Sequence, residues 1–149
     1  MKVNPDDFTN IAWHAIIDAK DFASIEKHQT LETEHLLYSL LKRNEIAIKV
    51  IERSGGKIKN LLTEIEEFIK SQPKMLKAQE SIFFGKNISF SISRAKNIKQ
   101  SFEDDFISSE HLVISLFDDE RVCHRLFKEN EINKNSLLEA INALSLIHI

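Results

Sequence analysis

A repeat that runs without a gap limits this chain more than any other feature. Leu31-Glu32-Thr33-Glu34-His35-Leu36-Leu37 and Ile107-Ser108-Ser109-Glu110-His111-Leu112-Val113 follow one pattern: an apolar entry, a hydroxyl residue, Glu-His, then an apolar run. The two stretches stand 76 residues apart, and the same offset pairs Phe8 with Phe84, Ile16 with Ile92, Ala19 with Ala95, Leu61 with Leu137 and Ile65 with Ile141. A repeat fixes architecture before any local reading does. This period is too long for a solenoid unit and occurs only twice. It implies two copies of a helical subdomain packed about a pseudo-twofold axis.

Local signals within each copy are helical. In the first, Phe8, Ile11, Ala12, Ala15, Ile16, Ala19, Phe22 and Ala23 follow the three-four spacing of a buried helix face. Three glycines and two prolines in 149 residues leave little punctuation, which favours long helices over many strands. The expected fold class is all-α: an eight-helix pseudo-twofold duplication of a four-helix repeat. The helices are expected at about 5–25, 33–42, 45–53 and 57–71, then 87–101, 109–117, 120–130 and 134–144. Asn4 can cap the first, the Thr33 hydroxyl the second, and Ser54-Gly55-Gly56 can close the third. One domain over 1–149 results: repeat 1 at about 5–71, a linker at 72–86, and repeat 2 at about 87–144. Residues 145–149 read as a tail or truncated linker.

Few residues carry chemistry. A zinc site of the His-Glu-x-x-His kind needs a second histidine one turn on, and neither Glu34-His35 nor Glu110-His111 has it. Adjacent helical residues also point about 100° apart, so each His is expected to pack at its helix start while each Glu faces the dipole or solvent. Gly55-Gly56-Lys57 lacks the flanking residues of a phosphate loop, and Cys123 has no identifiable base. Neither an enzyme nor a metal site is expected. A net charge of −3 offers no general attraction to nucleic acid, and no apolar stretch approaches the ~20 residues a membrane span needs. With no secretory pattern at 1–7, the expected location is cytoplasmic, or organellar stroma or matrix.

Charge and apolar excess are more informative. Residues 73–99 carry six Lys/Arg and one acid, whereas 100–120 carry seven acids and neither Lys nor Arg. Beside that acidic run, Ile82, Phe83, Phe84, Ile88, Phe90 and Ile92 exceed what one helix face requires. Either the linker folds back over them or they form an exposed apolar groove.

With these residues in hand, the chain resembles the amino-terminal domain of Clp-type AAA+ chaperones. Residues 106–112 and 33–37 resemble that family's twin motif, and the linker from Gln72 to Lys86 resembles its disaggregase, ClpB-like branch. The resemblance covers about residues 5 to 144. It implies a domain that contacts unfolded or aggregated polypeptide and delivers it to the pore of a homo-hexameric unfoldase working with an Hsp70 system. ATP and Mg would be cofactors of absent AAA+ modules, with none in this domain. The resemblance places polar substrate positions on Thr9, Asp104 and Glu110 and groove positions on Ile88 and Ile92, to which Phe84 and Phe90 are physical additions. Asn87 to Ser93 departs from the family's aliphatic helix in being serine-rich. The alternative is docking of a folded adaptor, as in the ClpA and ClpC branches; a free-standing Clp-like domain with a regulatory or enzymatic role is a further competitor.

Overall fold

A computed structural model describes residues 3–147, with eight α-helices among them. They are α1 (Asn10–Ile25), α2 (Thr33–Arg43), α3 (Glu45–Arg53), α4 (Ile58–Ser71), α5 (Lys86–Ser101), α6 (Ser109–Phe117), α7 (Cys123–Glu129) and α8 (Lys134–Ile147). The order repeats as four and four, and the all-α expectation holds. Helix α8 continues through Ser145 to Ile147 instead of ending near Leu144; the rest of the expected tail, 148–149, lies outside the described residues.

The backbone carries the duplication further than the side chains do. Four residues have positive φ, and they form two pairs at the 76-residue offset: Lys27 (61°) with Glu103 (59°), and Gly55 (100°) with Glu131 (61°). Each follows a helix end whose carbonyls are closed by the next amides, as when Gly56 N donates to Ile51 O and Ile132 N to Phe127 O, both at 2.9 Å. Glycine holds this conformation without a Cβ penalty; Lys27, Glu103 and Glu131 hold it at about 1 kcal/mol each.

The repeats are laced through each other. Phe8 bridges Ile107 in parallel, while β2 (Phe83–Phe84) pairs in parallel with β1 (Thr30–Leu31). At the offset these are one contact made twice, since Thr9 N donates to Ile107 O and Gly85 N to Leu31 O, each at 2.9 Å. The arm that opens each repeat is therefore bound to the other repeat. This corrects one boundary. The first helix does not run unbroken from Pro5: a single 3-10 turn (Pro5–Asp7), capped by Asn4, is followed by extended Phe8, held by its Ile107 pairing. Residues 72–86, which join the repeats, lie against the first of them: Met75 N bonds Lys27 O at 2.8 Å and β2 is stitched to β1.

The buried core runs through both copies, from Ile16, Leu36, Leu40 and Ile65 to Ile92, Leu112, Leu116 and Ile141. Gly85 is required by close approach, since a Cβ there would run into the Glu32 carboxylate. Glu32 in turn accepts from Ile88 N at 3.0 Å and Asn87 Nδ2 at 3.3 Å, capping α5 from the opposite repeat. Helix α1 is capped instead by its own Thr9, whose hydroxyl accepts from Ala12 N at 3.2 Å. Two outcomes are expected in thermal unfolding. Glu131→Gly, at an exposed site, stabilises the fold by about 1 kcal/mol by relieving the left-handed backbone. Gly85→Ala displaces Glu32 and lowers the melting temperature, and at this N-cap position alanine brings no compensating gain.

Candidate functional site

The Glu-His pairs sit at the starts of α2 and α6, and each does more than its local pattern suggests. His35 Nδ1 accepts from Glu32 N, and His111 Nδ1 from Ser108 N, both at 2.9 Å. The histidine thus supplies the return bond of a helix cap, a task usually given to glutamate or glutamine. Accepting at Nδ1 fixes each neutral ring with its proton on Nε2. His111 Nε2–H donates to Asp104 Oδ2 at 2.9 Å, and His35 Nε2–H donates to His28 Nδ1 at 2.8 Å. His28 occupies the position equivalent to Asp104, and its own Nε2–H finds no acceptor. Burial lowers the affinity of all three rings for protons, and holds His35 down to about 4.

The hydroxyls join the two repeats. Thr33 Oγ1 donates to Asp119 Oδ2 at 2.9 Å, and Asn44 Nδ2 donates to Ser109 Oγ at 2.8 Å. Asp119 and Asn44 are themselves helix caps, accepting from Cys123 N and Ala47 N at 2.9 Å. This corrects the expectation that Thr33 caps α2: Glu32 holds that position, and the hydroxyl reaches across to the other repeat. Asp119, one of the seven acids of the run at 100–120, is likewise turned inward and buried. Its bonds to Val122 N and Cys123 N also explain why α7 begins at Cys123 instead of near Glu120. Cys123 is fully buried, and burial pushes its thiol well above the ordinary range, so it packs as an inert side chain.

The two glutamates have different fates. Glu34 is buried and bound at both oxygens by Arg121, at 2.8 and 3.0 Å, with the guanidinium 5.6 Å over the Phe68 ring. Of the two expected settings for Glu34 the dipole holds, since it stands in the first turn of α2, and solvent does not; nothing local in the sequence signals a partner 87 residues away. Glu110 has no such clamp. Its cleft holds Glu45 and Leu144 at the positions equivalent to Arg121 and Phe68, with Ile46, Val50 and Ile141 around a space of about 430 Å³. Burial, aided by the charge of Asp104, raises the Glu110 carboxyl above its ordinary value.

The expected site residues divide into separate groups. Thr9 is bound to Ile107 and half-exposed Asp104 to His111, whereas Glu110 lines the cleft with Glu45 and Leu144. Phe84 is partly buried beside Leu31, with Lys20 Nζ 6.0 Å from its ring centroid. Phe90 is 52% exposed, with Lys86 one turn before it and 5.7 Å from its ring. Ile88 and Ile92 are only 1% and 0% exposed, which corrects their placement in a groove lining: they are the inward face of α5. Phe83, at 63%, is the exposed aromatic beside them. Neither earlier reading of this apolar segment describes it whole, because two residues are buried, two are partly covered and two project. Among the described residues no cluster of His, Cys, Asp and Glu has the arrangement to hold a metal, and no helix is long and apolar enough to cross a membrane.

This is a duplicated all-α domain whose surface offers apolar and acidic contacts and whose polar interior is committed to holding two repeats together. The profile of the Clp repeat (R) N-terminal domain matches residues 7–130, and the chain belongs to that family. Over 141 residues, 95% of the chain, it is 40% identical to the chaperone protein ClpB of Prochlorococcus marinus; over 144 residues, 96% of the chain, it is 36% identical to the chloroplastic ClpB2 of Oryza sativa. It spans only 16% and 15% of the length of those relatives. Its fold is similar to the Hsp104 N-terminal domain of Candida albicans (TM-score 0.80, 18% identity, covering 90% of this chain and 88% of that one). It is also similar to a ClpV N-domain in complex with a VipB peptide (TM-score 0.69, 16% identity, covering 92% and 91%).

The histidine chain has a sign that can be checked. A His35 value depressed from 6.5 to about 4 means that the unfolded chain binds the proton first. The stabilisation is complete above about pH 6.5, is lost as pH falls, and levels off below about pH 4, for a total on the order of 3 kcal/mol. Nitrogen NMR of the His35 ring is expected to show it neutral at pH 6; a protonated ring there would contradict the assignment. Arg121→Ala leaves Glu34 buried without its counter-charge and is expected to cost about 3 kcal/mol in denaturant unfolding.

Proposed function

We propose that this domain captures exposed hydrophobic segments of unfolded or aggregated polypeptide for an ATP-driven disaggregase of the ClpB type. The observation that carries the reading is the pair Phe83 and Phe90, more than half exposed at the start of a helix whose other face is packed in the core. Large aromatics gain most from burial and tolerate many apolar partners, which suits a receptor for unrelated sequences. Phe84 borders them, while buried Ile88 and Ile92 set the orientation of α5. In this reading Asp104, Glu110 and Thr9 supply a polar, acidic margin that favours segments with basic flanks.

Weak capture is sufficient in an oligomer, because linked copies raise the effective concentration of the second contact. In this reading the complete protein is a homo-hexamer acting with an Hsp70 system in the cytoplasm or an organelle. ATP and Mg bind AAA+ modules outside this chain, and this domain performs no chemistry itself. The second reading, docking of a defined partner, is favoured by the ClpV N-domain in complex with a VipB peptide.

Fluorescence anisotropy with a labelled, permanently unfolded polypeptide tests the first reading. Phe83→Ser with Phe90→Ser, both at exposed positions, is expected to weaken binding about tenfold while the circular dichroism spectrum is unchanged. Unchanged affinity in the folded double variant would sink the capture surface. Competition by a folded adaptor but not by the unfolded chain would favour the second reading.

A further inference from the structure

Helices α1 and α2 leave an open groove that the duplicated pair α5 and α6 closes. Along it Ile11, Asp18 and Ile25 stand seven residues apart on α1, facing Tyr38, Lys42 and Arg43. Two cavities of about 320 and 190 Å³ lie along the groove and share Asp18, Ser39 and Arg43. Phe22 and Tyr38, stacked with ring centroids 4.1 Å apart, stand in its wall. Ile11 is 55% exposed and Ile25 71%. From Ile11 to Ile25 the groove runs about 21 Å, roughly four helical turns.

The second repeat is an internal control. At the offset, Ile11 becomes Asn87, Ile25 becomes Ser101 and Asp18 becomes Arg94. Arg94 lies across α6, donating to Ser115 O from Nε and Nη2 at 3.3 Å and to Ser91 Oγ at 2.9 Å. Repeat 2 therefore covers this place with its own guanidinium and ends it in polar residues. Repeat 1 presents a carboxylate there, with isoleucines at both ends. Among the described residues Asp18 and Asp21 on the α1 side and Lys42 and Arg43 on the α2 side form no ion pair.

We infer that the α1–α2 groove docks an amphipathic helix of a partner protein. Its apolar stripe meets Ile11, Tyr38 and Ile25, its basic flank meets Asp18 and Asp21, and its acidic flank meets Lys42 and Arg43. A groove lined by opposite charges selects orientation as well as affinity, because a reversed helix sets like charges against each other. A second copy of α1 fits this less well, since antiparallel pairing through residue 18 would bring Asp18 against Asp18. The site is separate from Phe83 and Phe90 and does not depend on the capture reading.

The probe is a synthetic, fluorescein-labelled helix of about 18 residues with a leucine stripe, lysines on one flank and glutamates on the other. A second peptide carries glutamates on both flanks, so that neither orientation offers Asp18 and Asp21 a basic partner. The 149-residue chain is expected to bind the first at least tenfold more tightly than the second. Asp18→Arg, which copies repeat 2, is expected to weaken the first at least tenfold, as is Ile11→Asn with Ile25→Ser. All these changes are on the surface, and circular dichroism checks that the fold is kept. Phe83→Ser with Phe90→Ser is expected to leave the affinity unchanged. Equal affinity for both peptides, or binding insensitive to Asp18→Arg, overturns the proposal. So does sedimentation showing that the chain dimerises and that Asp18→Arg abolishes the dimer, which would make the occupant a second copy.

Discussion

The starts of α2 and α6 are each hydrogen-bonded, through a buried boundary, to the residue that caps the helix after the other, and the rest of the domain is arranged to permit it. Thr33 donates to Asp119 and Ser109 accepts from Asn44, and Asp119 and Asn44 are each also the cap of the helix that follows in the opposite repeat. A buried hydroxyl or carboxylate left without a partner costs about 1–3 kcal/mol, so neither repeat closes its own caps economically when alone. The crossed arms, Phe8 on Ile107 and Phe84 on Leu31, add backbone bonds at the same boundary. Buried polar groups that are fully satisfied favour one register strongly, since a slip of one residue strands several of them together.

That symmetry makes its own exceptions visible. Position by position, the two repeats meet the same requirement in different ways. Glu34 has Arg121 while Glu110 has a cleft; Asp104 ends one histidine chain while His28 ends the other; Arg94 covers one groove while Asp18 leaves its equivalent open. Two copies under the same packing constraint have the same reason to be alike. Where they differ, something besides packing is acting, and the α1–α2 groove lies at such a place.

Much of the architecture was legible because an offset is independent of local ambiguity. The pairing of Ile16 with Ile92 and of Glu34-His35 with Glu110-His111 yields the duplication and its helices without any contact being known. The site was less legible. Helical spacing places Ile88 and Ile92 on one face but does not say which way that face turns, and here it turns into the core. Thr33 looked like a cap because hydroxyls favour that position, yet its partner lies 86 residues away. Asp119 was counted with its acidic neighbours for the same reason: charge runs are read along the chain, whereas burial is decided across it. Glycine at 55 announced its turn, but the same backbone at Lys27, Glu103 and Glu131 carries residues that give no signal.

The most direct measurement is a proton–nitrogen NMR titration of this domain with a permanently unfolded polypeptide. If capture is the function, amide shifts concentrate from Phe83 to Phe90, extend to Thr9, Asp104 and Glu110, and leave the α1–α2 groove unmoved. An absence of shifts at high micromolar polypeptide, or shifts confined to other faces, would contradict the account.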